Sequence, residues 1–105
     1  MAPFKVRYTH EARQDLVRLF DFLLGGGETI EDFDAAQVAV DTIISAVERH
    51  LARSPFIYRK VGDNPFLREL VIAFGNSGYV ALYEIDDAAT ITTLAARHQR
   101  EDDYH

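Results

Sequence analysis

The sequence predicts an α+β domain, and three observations predict it. Apolar residues recur at helical spacing from about residue 10 to residue 51, and from Phe56 onward the period changes to that of strands. Two compact turn signals, Gly75-Asn76-Ser77-Gly78 and Asp86-Asp87, divide the second half into short strand-forming runs. The opening Phe4-Lys5-Val6-Arg7-Tyr8 alternates apolar and basic residues, the pattern of a half-buried strand. The expected order is β-α-α-β-β-β: an N-terminal strand, an antiparallel two-helix hairpin and a three-stranded antiparallel meander. No linker or internal repeat divides residues 1–105, so a single domain is expected.

Each element has a local cause. Thr9 is placed to cap a first helix over about residues 10–24, with Glu11 at the positive end of its dipole. Ala12, Leu16, Leu19, Phe20 and Leu23 form its apolar stripe, and Gly25-Gly26-Gly27 stops it. A second helix is expected from about Thr29 to Leu51, burying Phe33, Ala36, Val40, Ile43, Ile44, Val47 and Leu51. Ser54-Pro55 ends it, because proline disfavours helical geometry in the residue before it. Phe56 to Pro65 reads as a loop or a short edge strand. Phe66–Phe74, Tyr79–Ile85 and Thr90–His98 are the strands of the meander. The hairpin's apolar stripes are expected to cover one sheet face.

Composition narrows the function. A chain of 105 residues supports one core, and its 48% hydrophobic and 27% charged residues are ordinary for a globular protein. The net charge of −6 argues against a protein whose main ligand is a phosphate backbone. Its cations are nine arginines against Lys5 and Lys60, a choice that suits planar carboxylate or phosphate contacts. There is no cysteine, hence no disulfide or thiolate metal site. His10, His50, His98 and His105 lack metal-motif spacing, and Asp86-Asp87 lacks an oxygen-ligand array around it. The glycine run lacks the lysine and strand context of a phosphate loop. Neither a cofactor nor a metal is expected. No signal-peptide or membrane-spanning run is seen, so a cytoplasmic protein without membrane contact is expected.

Five stretches in order carry a family likeness. They are Val6-Arg7-Tyr8-Thr9-His10-Glu11-Ala12-Arg13-Gln14-Asp15-Leu16, Leu51-Ala52-Arg53-Ser54-Pro55, Leu67-Arg68-Glu69-Leu70-Val71-Ile72, Tyr79-Val80-Ala81-Leu82-Tyr83 and Arg97-His98-Gln99-Arg100. Together, over roughly the whole chain, they resemble the RelE/ParE superfamily of toxins from bacterial type II toxin–antitoxin systems. The Arg-His-Gln-Arg ending and the Arg-Glu-Leu strand look more like the ParE branch. That resemblance implies a non-enzymatic inhibitor of DNA gyrase, neutralised by an antitoxin that wraps it as helix and strand. RelE-like members are ribosome-dependent mRNA endonucleases, the alternative reading. A degenerate toxin that only binds its antitoxin and co-regulates an operon is a third.

The residues themselves weigh on this choice. A nuclease needs a base for the 2′-hydroxyl, cations at the phosphate and an acid for the leaving oxygen. Arg68, Arg97 and His98 are the candidates for such a site, with Arg100, Tyr83 and the terminal Tyr104-His105 as further donors; histidine is the side chain that titrates near neutral pH. Strict alternation along the last strand puts His98 with Leu94 and Ala96, and Arg97 on the other face with Ala95 and Thr93. Glu101-Asp102-Asp103 follow at once and repel an RNA backbone, so sequence-specific nucleic-acid binding by the chain alone is not expected. Tyr79 and Tyr83 are expected to pack within strands, and Arg68-Glu69 to pair with neighbouring charges. For binding an antitoxin, Arg13, Arg18, Arg68, Arg97 and Arg100 are the candidate partners of acidic side chains.

Overall fold

The computed structural model describes residues 3–74 and 77–100. The Gly75-Asn76 centre of the first turn, and Glu101 to His105, lie outside the described residues. The chain runs β1 (Lys5–Tyr8), α1 (His10–Leu24), α2 (Ile30–Arg53), β2 (Arg59–Val61), β3 (Asn64–Phe74), β4 (Ser77–Ile85) and β5 (Thr90–His98). The undecided stretch after α2 is therefore a short edge strand, β2, paired to the first half of β3. One sheet of order β1-β5-β4-β3-β2 results, antiparallel except for β1, which lies parallel to β5.

Helix ends follow the local chemistry. The Thr9 hydroxyl accepts the Ala12 N–H, and Gly25 closes α1 in the left-handed conformation at φ 58°. Thr29 and Asp32 form a reciprocal capping box at the start of α2. The core lies between one face of the hairpin and one face of the sheet. Leu19, Ile43, Val47 and Leu51 meet Leu70, Ile72, Tyr79, Tyr83 and Ile91 there. Two stripe assignments need correcting: Phe33 is 50% exposed, and Ile44 is only half-buried. Phe33 sits near the hairpin turn and packs edge-on against Phe20, centroids 5.3 Å apart, instead of against the sheet. Ala39 and Ala46 are buried in α2, small residues that let the helix approach closely.

A β-bulge in β5 sets the geometry of its end. Leu82 pairs with Ala95 but Tyr83 with Thr93, so Leu94 is an extra residue in the ladder. Helix α1 satisfies the backbone groups around this irregularity. The Thr9 hydroxyl donates to the Leu94 carbonyl (3.2 Å), and the buried Asp15 carboxylate accepts the Ala96 N–H (2.9 Å). Thr9, Ala12 and Asp15 thus dock α1 onto the bulge. The bulge also corrects the alternation expected for β5. Thr93 and Ala96 pair with Tyr83 and Ala81, so both face the helices, and Thr93 does not share the face of Arg97. His98 keeps company with Ala96, as expected, while Leu94 takes up the irregularity. Arg97 and His98 do lie on opposite faces.

Candidate partner-docking site

The six candidate site residues, Arg13, Arg18, Arg68, Arg97, His98 and Arg100, divide into three that lie apart and three that line one cleft. Arg68 projects from β3 into the turn-rich link after α2. Its Nε donates to the Pro65 carbonyl and its Nη1 to the carbonyls of Phe56 and Tyr58, each at 2.8 Å. The guanidinium also lies over the Phe56 ring, 5.5 Å from its centroid. This arginine binds the chain's own backbone. Arg97 lies on the sheet face away from the helices, with 14% of its side chain exposed and Nη2 3.9 Å from Glu69. Glu69 in turn holds Arg59 at 2.7 Å, so β2, β3 and β5 are linked by one carboxylate. Arg13 is exposed on α1.

The remaining candidates converge. Arg18 from α1 and His98 and Arg100 from the end of β5 line one cleft of about 450 Å³, together with Phe22. Three contacts shape it. The His98 ring packs edge-on against Tyr79 at 5.6 Å, its Nδ1 accepts the Arg100 N–H (3.1 Å), and Gln99 N–H donates to the Gly78 carbonyl (2.8 Å). Phe22 stands one helical turn after Arg18 and is 70% exposed. It falls outside the apolar stripe of α1, and that off-stripe position is the sequence signal for its exposure.

A second concavity runs between α2 and the outer half of β3. Strand β2 pairs no further along β3 than Glu69, and among the described residues no strand pairs with that side of Leu70–Phe74. The groove, about 560 Å³, is lined by Val38, Thr42 and Arg49 of α2, by Tyr58, and by Val71 and Ala73 of the open edge. An exposed edge of this kind is a template for an added strand, and the half-exposed Val38 and Val71 give it apolar footing.

Tyr83 is engaged inside the chain. Its hydroxyl is buried and donates to the Pro55 carbonyl at 2.6 Å, and burial pushes its pKa up. Tyr8 is likewise pushed up to about 12, by burial and secondarily by Glu48.

The family model described as the ParE toxin of type II toxin-antitoxin system, parDE, matches residues 6–103. The chain belongs to the ParE toxin family. A curated relative of this ParE-family toxin is Toxin RelE3 of Caulobacter vibrioides, 36% identical over 91 residues, covering 86% of this chain and 88% of that protein. A chain in the solved chromosomal ParDE TA system from P. aeruginosa has the same fold, with a TM-score of 0.68 at 17% identity. That similarity covers 90% of this chain and 95% of the other. The protein is therefore a toxin of the ParE/RelE superfamily, and the fold its sequence implied is the fold observed.

Proposed function

We propose that this ParE-family toxin arrests growth by inhibiting DNA gyrase, without catalysing a reaction, and is neutralised by a cognate antitoxin. The observation that carries the choice of mechanism is the separation of Arg68, Arg97 and His98. A phosphodiester in flight needs its cations and its proton-transfer groups within hydrogen-bond reach of one another. Here Arg68 holds three backbone carbonyls, and Arg97 and His98 face opposite sides of the sheet. No one substrate phosphate reaches all three. The groove beside the open edge of β3 supports the antitoxin part of the reading, since it offers both strand addition and an apolar floor.

The test is to express the chain alone in bacteria and to follow plasmid supercoiling beside mRNA integrity. Lost supercoiling activity of purified gyrase, with mRNA intact at early times, is the expected result. Fragmented mRNA with supercoiling preserved would replace this reading by the ribosome-dependent endonuclease. Growth without any defect would point to a degenerate toxin retained for its partner.

A further inference from the structure

A pocket of about 520 Å³ opens where the link after α2 meets the β4–β5 turn. Phe4, Phe56, Phe66 and Ile85 wall it, and Asp86 and Asp87 line it from the turn. That volume is ordinary for a ligand site. Phe56 and Phe66 are each half-exposed and meet edge-on, centroids 6.5 Å apart, so apolar surface is gathered here instead of scattered singly. The walls are held by bonds within the chain. Arg68 fixes the Phe56 carbonyl and lies over that ring, and the Tyr83 hydroxyl holds the neighbouring Pro55 carbonyl. The Phe4 N–H donates to the Ala52 carbonyl (2.8 Å), the Phe66 N–H to the Asn64 side chain (2.9 Å), and the Asp86 N–H to the Thr90 carbonyl (3.0 Å). A partner therefore gains apolar burial here without having to order a loop.

We propose that this pocket docks a protein segment in which a bulky apolar side chain stands beside a lysine or arginine. The apolar side chain enters between Phe4, Phe56 and Phe66, and the cation lies on Asp87. Charge selects the second half of that pair. Among the described lining residues two are acidic and none is basic. Arg7 pairs with Asp86 at 3.5 Å. Asp87 accepts the Ala89 N–H at 2.8 Å, a bond that brings no opposing charge. That N–H also holds the Asp87 carboxyl below the ordinary carboxylate range, so it is ionised at neutral pH. An acidic segment would meet like charge at this turn. The pocket shares no described lining residue with the groove beside β3 or with the cleft at the end of β5. Its chemistry is the same whether the chain inhibits gyrase or cleaves mRNA.

The test uses the full chain and fluorescence anisotropy. The probe is a labelled glycine-serine peptide carrying a tryptophan flanked by arginines. Two control peptides replace the tryptophan with serine or the arginines with glutamates. The tryptophan-arginine peptide should bind, and each control should bind more weakly by about 5-fold or more. Phe66→Ala should weaken the peptide by about 5-fold. Ala88→Lys adds a cation to the exposed turn and leaves the apolar walls intact; it should weaken the peptide by about the same factor. Asp87→Asn should weaken it by about 3-fold at low salt and have no effect at high salt. Phe22→Ala and Asp34→Asn, outside the pocket, should each change binding by less than about 2-fold. Asp34 lies roughly 28 Å before the end of α2, at 1.5 Å per residue. Circular dichroism verifies that every variant is folded, and if Phe66→Ala is not, Ala88→Lys decides. No binding of the peptide, undiminished binding with serine for tryptophan, or equal losses in Asp34→Asn and Asp87→Asn would each overturn the proposal. So would phenethylamine that binds as tightly as the peptide and displaces it, since the pocket would then serve a small aromatic amine.

Discussion

Arg68, within β3, and Arg100, just past the end of β5, carry the same side chain and are placed very differently. Arg68 turns inward on the link after α2 and bonds three carbonyls, while Arg100 lines an open cleft with Arg18. The difference comes from what lies nearby in space. The turns around Phe56, Tyr58 and Pro65 leave carbonyls without ladder partners, and a guanidinium with five donors satisfies several at once. Arg18 donates to the Ala96 carbonyl at 3.5 Å, a longer contact than any of the three that Arg68 makes. A cation is thus structural where it meets several carbonyls that the ladder leaves unpaired.

Substitutions can break this contrast. The largest effect is expected at the acid that holds the cleft's supporting strand. Asp15→Ala leaves the buried Ala96 N–H without its acceptor and should destabilise the protein by about 3 kcal/mol, read from urea unfolding. Next, Arg68→Ala should cost about 2 kcal/mol, and Arg68→Lys should restore less than half, because an ammonium cannot reproduce the planar fork. Tyr83→Phe should cost about 1.5 kcal/mol by orphaning the Pro55 carbonyl. The smallest effect belongs to the cleft: Arg100→Ala should change stability by less than about 0.5 kcal/mol. A loss at Arg100 as large as that at Arg68 would erase the distinction.

Alkali tests the buried side of the same contrast, because these phenols pack in or against the core. Burial raises Tyr79 and Tyr83 above the ordinary value of 10.0, and Tyr8 to about 12. Folding therefore favours the protonated phenol. Its contribution is fully present below about pH 10 and is lost as pH rises toward the folded-state value. The urea midpoint should hold through neutral pH and fall above about pH 10, and Tyr83→Phe should flatten that fall. An unchanged midpoint up to pH 12 would mean that these phenols are not held in the protonated form.

Helix boundaries and caps were legible in the sequence because their causes are local. Thr9, Gly25 and Thr29 act on residues within one turn of themselves. The five resembling stretches carried the fold because they kept their order over the whole chain. What stayed hidden depended on contacts between distant residues. Strand β2 is three residues long and exists only by pairing with β3. Nothing around Leu94 announces a bulge, since its cause is the fit of α1 through Thr9 and Asp15. In the same way, Arg18 and Arg100 could be chosen as candidates by residue type. Their meeting, and the separation of Arg68 and Arg97 from them, required the sheet to be assembled.

The bulge has a consequence for insertions and deletions. Strand β5 carries one residue that its ladder does not use. A one-residue deletion at Leu94 would regularise the strand and leave Thr93, Ala96 and His98 facing the helices and Arg97 facing away. The same deletion in β4, whose pairing with β3 is regular from Ser77 to Glu84, would turn half of that strand over and bury its outward residues. Two neighbouring strands of similar composition therefore differ sharply in how much loss of length they can absorb.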